Sequence, residues 1–219
     1  MTHVEIPTSV NSIGEAAFAG CDNISSMTVA DGNATFDSRN NCNAIIETAT
    51  NTLVSGCPRT VIPEDVTAIG TSAFYWQHLM GSITIPASVT TIGYSAFYYM
   101  NSLKAVICEA TTPPALEGSS FDQSTRLRAT VYVPRAALET YRNTDVWNWF
   151  QNFCAIEDLV NGDVDGNGSI GIGDVTALID YLMSNDSSDM ILYNADCDKD
   201  KKIGIGDVSE LIDMLLSNN

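Results

Sequence analysis

Two acidic segments in the last third of the chain place oxygen-bearing side chains at the same spacing. DVDGNGSIGIGD begins at Asp163, and DCDKDKKIGIGD begins at Asp196. Places 1, 3, 5 and 12 of each segment carry Asp or Asn, and place 7 can offer a backbone carbonyl. Hard oxygen ligands at these places are the pattern by which a twelve-residue loop wraps calcium. We therefore predict two calcium ions as cofactors, with these candidate ligands: Asp163, Asp165, Asn167, Ser169 and Asp174 in the first loop, and Asp196, Asp198, Asp200, Lys202 and Asp207 in the second.

The two loops are not chemically identical. Gly171 and Gly204 at place 9 have no side-chain oxygen, so a water should fill that ligand position. Lys201 stands at place 6 of the second loop and must adopt a left-handed backbone, at a cost of about 1 kcal/mol. Carboxylates that converge without a metal repel one another. We therefore expect calcium binding and folding of this segment to be coupled.

A helix should follow each loop, because apolar residues recur there at positions i, i+3, i+4 and i+7. These residues are Val175, Leu178, Ile179 and Leu182 after the first loop, and Val208, Leu211, Ile212 and Leu215 after the second. Residues 155–162 are too short for a comparable helix before the first loop. The pattern predicts a loop–helix unit used twice. A solvated acidic tail, the other explanation for the net charge of −11 over residues 156–219, would not repeat both loop and helix.

Residues 160–217, with these two loop–helix units, resemble a type I dockerin. The resemblance implies an extracellular protein that attaches to a cohesin on a scaffold or cell surface. It assigns partner recognition to places 10, 11, 17 and 18 of each copy: Ile172, Gly173, Ile179 and Asp180, and Ile205, Gly206, Ile212 and Asp213. The Ser/Thr and Lys/Arg pairs that are common in cellulosome dockerins are absent, which disfavours a clostridial cellulosome partner. The near-identity of the copies permits two binding orientations.

Two interpretations of the loop isoleucines stay open. Ile172 and Ile205 stand beside a glycine in positions where metal binding alone does not require an apolar side chain. They either contact a partner or pack against the opposite helix as core. Exposure in the isolated chain would favour a partner contact.

A repeat runs through the N-terminal half of the chain and is aligned on Phe18, Phe74 and Phe97. An Ile-Gly pair precedes each phenylalanine by five residues, a valine by eight, and an Ile-Pro pair by twelve. The last two full units, on Phe74 and Phe97, follow each other directly. Such a unit cannot bury its apolar face alone, so the units must stack into a solenoid with short strands.

Residues 4–150 resemble the BspA-like family of leucine-rich repeats of bacterial cell surfaces. Residues 30–61 interrupt the period, and the apolar runs on either side of ETATN predict an inserted β-hairpin. Val131–Val133 is expected to be the last strand, and the amphipathic stretch RAALETYRNTDVWNWF to be the C-terminal cap of the solenoid. The fold class is therefore mixed α/β, with a capped leucine-rich-repeat-like solenoid over residues 1–155 and a small all-α dockerin over residues 156–219.

Aromatic residues directly follow the repeat phenylalanines. Tyr75 and Trp76 in one unit, and Tyr98 and Tyr99 in the next, could form a ligand face, because aromatic residues are enriched at protein and sugar contacts. Packing between adjacent units is an equally good explanation. The ligand of such a face, a protein or a glycan, is left open by the sequence.

Charge and composition exclude several functions. Of the 219 residues, 27 are Asp or Glu and 10 are Lys or Arg, so the net charge of −17 argues against nucleic acid and anionic membranes. No apolar run is long enough to span a membrane. The six cysteines form no CxxC pair and have no nearby histidine, so we expect mostly buried thiols. Three disulfides are the alternative.

No enzyme motif is present: the chain lacks GxSxG, HExxH and a Gly-rich phosphate loop. We expect a non-catalytic, exported interaction protein of the extracellular space or bacterial surface, with a recognition solenoid anchored through its dockerin. One alternative is a non-catalytic part of a polysaccharide-degrading complex, or of an enzyme with a further upstream domain. The other is a dockerin that acts as a calcium-set cap on its own solenoid. The first repeat starts at residue 4 without a cap or an export signal, so we expect a fragment of a longer protein.

Overall fold

The computed structural model describes residues 2–217. Within that range the strands are β1 (His3–Ile6), β2 (Ser26–Val29), β3 (Phe36–Asp37), β4 (Ala44–Glu47), β5 (Thr52–Gly56), β6 (Ala68–Ile69), β7 (Ser82–Ile85), β8 (Thr91–Ile92), β9 (Ala105–Cys108), β10 (Ala115–Leu116), β11 (Thr130–Val133) and β12 (Asn152–Ala155). The α-helices there are α1 (Gln123–Arg128), α2 (Leu138–Asn143), α3 (Ile172–Ser184), α4 (Leu192–Ala195) and α5 (Ile205–Ser217). The fold is mixed α/β, as predicted.

Each repeat unit contributes one strand to each of two parallel ladders. The two-residue strands β6, β8 and β10 pair in one sheet, and β7, β9, β11 and β12 form the other. The repeat phenylalanine lies between the sheets, where the Phe74 and Phe97 rings stack at 5.3 Å and the Phe97 and Phe121 rings at 4.9 Å. All three rings are buried. Stacking a repeated apolar side chain in this way builds one continuous core from units that could not fold alone.

The predicted hairpin is confirmed, and it is part of the solenoid. β4 and β5 pair in an antiparallel ladder around the Thr48–Asn51 connection. β5 then pairs in parallel with β6, so the hairpin occupies a coil of the stack although it breaks the sequence period. Within the described residues, the insertion gives no matching strand to the second sheet. β7 therefore pairs with β9 alone and is left at the edge of its sheet.

The expectation for the end of the solenoid was wrong in one respect. Val131–Val133 is followed by a further strand, β12, which pairs in parallel with β11. The amphipathic stretch is the crossover between these two strands, and its Tyr141 and Trp147 side chains are fully buried. The Tyr141 hydroxyl donates to the Ala110 carbonyl and the Trp147 ring nitrogen donates to the Pro114 carbonyl. Because of these long-range hydrogen bonds, the amphipathic stretch belongs to one further turn of the solenoid.

The C-terminal segment forms its own small core and also contacts the solenoid. Val164, Leu178 and Leu211 are buried where α3 and α5 pack together. Between these helices, Ser187 bridges in parallel to Met80 beside the free edge of β7. Its N–H donates to the Leu79 carbonyl, and the Gly81 N–H donates to the Ser187 carbonyl.

The state of the cysteines and the length of the helices were also considered in the sequence. All six cysteines are free thiols; four of them are buried, and Cys154 is exposed. Within residues 2–217, no helix has the length and apolar character needed to cross a membrane.

Candidate calcium centres and interaction faces

The first loop is held by hydrogen bonds from its own backbone to its acidic side chains. Asp163 Oδ2 accepts from the Gly168 N–H at 3.0 Å. Asp174 closes the loop from the first turn of α3, accepting from the Asp165 N–H at 3.0 Å and the Gly171 N–H at 2.8 Å. Asp174 is fully buried, because these bonds draw it under the loop. A carboxylate at place 12 thus caps the helix and reaches the centre of the loop.

The second loop repeats this pattern place by place. Asp196 Oδ2 accepts from the Lys201 N–H at 3.2 Å. Asp207 accepts from the Asp198 N–H at 3.3 Å and the Gly204 N–H at 2.7 Å. The side chain at place 5 accepts from the N–H at place 7 in both loops, at 3.0 Å in the first and 2.8 Å in the second. The two segments of different sequence therefore share one geometry.

Three carboxylates converge in each loop and leave one oxygen unpaired. Oxygens of Asp163, Asp165 and Asp174 lie within 4.8 Å of one another, as do those of Asp196, Asp198 and Asp207. At place 1 of both loops, Oδ1 of Asp163 and Oδ1 of Asp196 are buried with no hydrogen-bond partner in the described chain. A buried carboxylate oxygen without a partner is costly unless a cation neutralises it. The donor sets therefore fit calcium, which prefers several hard oxygens.

The charge balance at place 1 supports the same conclusion. Burial raises the pKa of Asp163, and the neighbouring Asp174 and Asp165 raise it further against the lowering effect of the Gly168 N–H. Burial likewise raises the pKa of Asp196, with Asp207 and two other carboxylates adding to the shift. A bound divalent cation would act in the opposite direction and lower both pKa values. The loops are thus electrostatically incomplete without one.

The backbone of each loop turns left-handed at the same two places. Places 4 and 6 have positive φ in both loops: Gly166 and Gly168 in the first, and Lys199 (φ 62°) and Lys201 (φ 66°) in the second. The left-handed conformation predicted for Lys201 is therefore present. Lys199 was missed by the sequence analysis, although its alignment with Gly166 is a signal that could have revealed it.

All eight residues proposed for partner recognition are exposed. Ile172 is 76% exposed and Ile205 is 75% exposed, so they do not pack as core. Ile179 and Ile212 lie further along α3 and α5 and are also exposed. Two further apolar side chains, Met183 and Leu216, extend each stripe by one turn and were not singled out from the sequence. Their equal placement in the two copies of the loop–helix unit was the available signal.

The four aromatic residues proposed as a ligand face form one cluster. The Tyr75 and Tyr98 rings are nearly parallel, with centroids 6.3 Å apart. The Trp76 ring centroid lies 6.0 Å from that of Tyr75 and 5.9 Å from that of Tyr99. Trp76 and Tyr99 are exposed, whereas Tyr75 and Tyr98 are half-buried. Packing between units accounts for the contacts of these rings with one another, and the exposed parts of Trp76 and Tyr99 stay free for a ligand.

The fold and the loops together define a repeat solenoid joined to a duplicated loop–helix domain with two acidic centres. Comparison with protein families gives the classes by name. Residues 55–144 match the BspA type leucine rich repeat region in six copies, and residues 161–216 match the dockerin type I domain. The chain therefore contains a BspA-type leucine-rich repeat region followed by a type I dockerin. The repeat match begins after the first unit aligned above. Neither class is catalytic, the combination indicates a protein-interaction module, and dockerin domains as a class bind cohesins.

Two of the similar solved structures are named as leucine-rich proteins. A leucine rich cell surface protein from Faecalibacterium prausnitzii A2-165 is 20% identical, with a TM-score of 0.44 over 71% of this chain and 48% of its own. A leucine-rich repeat protein from Eubacterium ventriosum ATCC 27560 is also 20% identical, with a TM-score of 0.39 over 62% and 43%. The pneumococcal vaccine antigen PcpA is 11% identical, with a TM-score of 0.31 over 71% and 56%. The chain thus spans about half the length of these proteins. No curated protein matches it.

Proposed function

We propose that the chain is an exported, calcium-dependent interaction protein without catalytic activity. In this proposal the leucine-rich repeat solenoid is a recognition or adhesion module. The dockerin anchors it to a cohesin-bearing scaffold or to the cell surface. An extracellular or surface location follows from the dockerin, because cohesin attachment takes place outside the cell.

The observation that carries this proposal is the pair of exposed apolar stripes on the dockerin. The stripe on α3 consists of Ile172, Ile179 and Met183, and the stripe on α5 of Ile205, Ile212 and Leu216. Large apolar side chains repeated at the same places on two helices have no structural use if they face water. Exposed apolar patches of this kind mark protein contacts. Calcium in the loops would hold the N-terminal ends of both helices in place.

The decisive experiment is capture of the chain by immobilised type I cohesins, with charge introduced into each stripe. Ile172→Asp and Ile205→Asp should each leave capture largely intact, because either copy can provide the contact, and the double variant should abolish it. Both residues are exposed, so the variants should fold and retain two calcium sites. Val61→Asp, an exposed apolar residue of the solenoid, is the matched control. Capture by the double variant at wild-type strength would refute the assigned face.

A second function is favoured by the contact between the dockerin and its own solenoid. The segment between the loops covers the free edge of β7: Ser187 bridges to Met80, and the Leu192 N–H donates to the Ser82 hydroxyl at 2.8 Å. Arg59 reaches across to α3, with its guanidinium 5.4 Å from the centre of the Tyr181 ring. An uncovered strand edge invites aggregation, and native proteins cover it. The dockerin would then be a calcium-set cover as well as an anchor.

Gly81 provides the test of this second function. A Cβ at Gly81 would lie 2.4 Å from the Ser187 carbonyl oxygen and 2.7 Å from that of Met190, and neither backbone atom can move aside cheaply. Gly81→Ala should therefore separate dockerin from solenoid, which would be seen as a larger radius of gyration and as lost hydrogen-exchange protection at residues 79–82. Gly14→Ala, where a Cβ meets no atom within 4 Å, is the control. An unchanged shape and protection in Gly81→Ala would exclude the cover.

A further inference from the structure

The backbone under the aromatic cluster is strained at places where strain is avoidable. The residue two places after the repeat phenylalanine has a left-handed backbone in three units: Gly20 (φ 64°), Trp76 (φ 63°) and Tyr99 (φ 60°). Hydrogen bonds to the next unit accompany this conformation: the Gly20 N–H donates to the Tyr75 carbonyl, the Trp76 N–H to the Tyr98 carbonyl, and the Tyr99 N–H to the Asp122 carboxylate. Glycine adopts this backbone at no steric cost, as Gly20 does. An aromatic side chain adopts it with strain.

Three aromatic residues of this surface are exposed: Trp76 (47%), Tyr94 (55%) and Tyr99 (41%). The Trp76 ring packs in part over Gly20 of the neighbouring unit, and the rest of it faces solvent. A left-handed backbone also occurs two places before the phenylalanine, at Ala16, Ser72 and Ser95, so positive φ by itself is a feature of the repeat turns. Large rings exposed side by side are the observation that points to a ligand.

The chemistry of the surface next to these rings indicates what the ligand is. An open depression of about 370 Å³ is lined by Tyr75, Tyr94, Tyr98 and Tyr99 together with three serines and one alanine, and no charged side chain lines it. Trp76 lies beside the depression, with its ring next to those of Tyr75 and Tyr99. This volume is in the range of small-ligand sites, about 300–1,000 Å³. Ring faces offer a surface on which the C–H faces of a sugar can stack, and the serine and tyrosine hydroxyls offer hydrogen bonds to sugar hydroxyls. The lining contains neither Met nor Arg, which are enriched together with aromatic residues at protein contacts.

We propose that this surface of the solenoid, formed by Tyr75, Trp76, Tyr94, Tyr98 and Tyr99, binds neutral polysaccharide. The uncharged lining and the net charge of −17 of the chain disfavour anionic glycans. This proposal assigns a class of ligand to the solenoid, the recognition module of the proposed function. It rests on that part of the proposed function and not on the dockerin. It does not depend on calcium or cohesin, because every residue of the surface belongs to the solenoid.

The test uses the full chain and affinity gels that contain one of four soluble neutral polysaccharides: xyloglucan, mixed-linkage β-glucan, galactomannan or pullulan. At least one of them should retard the wild-type chain, equally with calcium and with a chelator. Trp76→Ala and Tyr99→Ala should each weaken the retardation three- to tenfold, which corresponds to about one aromatic stacking contact. The double variant should abolish it. Trp149→Ala is the control, since Trp149 is also 47% exposed but lies outside this surface.

A second substitution separates ligand binding from a structural role. Trp76→Gly places in this unit the residue that the first unit uses at the same position, so the backbone should be relaxed while the ring is lost. The variant should keep the wild-type melting temperature and lose the retardation. Retardation by none of the four polysaccharides would overturn the proposal, as would retardation that the double variant retains or that chelation abolishes. Binding to a gelatin column that is lost in Trp76→Ala would instead identify a protein site.

Discussion

The two calcium loops have the same geometry, but the backbone of the second loop is more strained. The first loop has glycine at both left-handed places, whereas the second has Lys199 and Lys201 there. The same hydrogen bonds nevertheless close both loops: the carboxylate at place 1 accepts from the N–H of place 6, and the carboxylate at place 12 accepts from the N–H groups of places 3 and 9. Asp207 in addition accepts from the Cys197 N–H at 2.8 Å. The conformation of the loop is therefore determined by hydrogen bonds between its carboxylates and its backbone N–H groups, and glycine at places 4 and 6 is not required. The second loop carries a strain of about 1 kcal/mol at each lysine.

The loops also differ in charge and in their surroundings. The second loop has four aspartates and three lysines, and the first has three aspartates and no basic residue. Gly166 of the first loop packs under Ile191, whose N–H donates to the Val164 carbonyl at 2.8 Å. Ile191 follows directly on the segment that bridges to β7. The second loop reaches the solenoid through the exposed ion pair of Lys201 with Glu64, and such a pair contributes little. Calcium in the first loop would therefore also stabilise the segment that contacts β7, whereas calcium in the second loop would not.

Among single substitutions, removal of the ligand at place 12 should have the strongest consequence. Asp174→Ala and Asp207→Ala each delete a buried carboxylate that can bind calcium with both oxygens, so each should lower the stoichiometry from two ions to one. Calorimetric titration measures this directly. Only Asp174→Ala should also expose residues 187–191 to hydrogen exchange, because only the first loop packs against Ile191. Equal exposure in both variants would contradict the asymmetry, and two sites in either variant would refute the ligand assignment.

Chelation acts on both loops at once, and its effect should be confined to one half of the chain. Without calcium, the unpaired carboxylates of both loops repel, so residues 160–217 should lose hydrogen-exchange protection. The solenoid contributes none of the candidate ligands and should keep its protection, except where residues 79–82 contact the dockerin. Hydrogen exchange with and without chelator decides the point. Equal loss in both halves would mean that the dockerin and the solenoid unfold as one unit.

Relief of the backbone strain should have a weaker effect than either of these changes. Lys199→Gly and Lys201→Gly should each stabilise the second loop by about 1 kcal/mol and raise its calcium affinity about fivefold. Gly168→Lys is the matched reverse change, since a Cβ at Gly168 meets no atom within 4 Å; it should weaken the first loop by a similar factor. Glu64→Gln controls for the ion pair that Lys201→Gly also removes. No change in affinity for the glycine variants would show that strain does not separate the loops.

Features that depend on local spacing could be predicted from the residues alone. The carboxylates of each loop, the helix after it, the inserted hairpin and the stacked phenylalanines all follow from residues close together in the chain. Their geometry is set by short backbone segments, so side-chain type and interval were sufficient. The lysine at place 4 of the second loop belongs to the same class, and alignment with the first loop would have predicted its left-handed backbone.

Features that depend on which strands meet became visible only in the folded chain. The sequence pattern predicts Val131–Val133 as the last strand, yet residues 152–155 pair with it and form one more. The exposure of Ile172 and Ile205 was undecided in the sequence, because the same side chains could have packed across the helix pair. Ser187 and the free edge of β7 lie far apart in the chain, so no local sequence pattern predicts their contact. Burial and edge pairing are properties of the assembled chain, and the free energy that selects them comes from surfaces that meet only after folding.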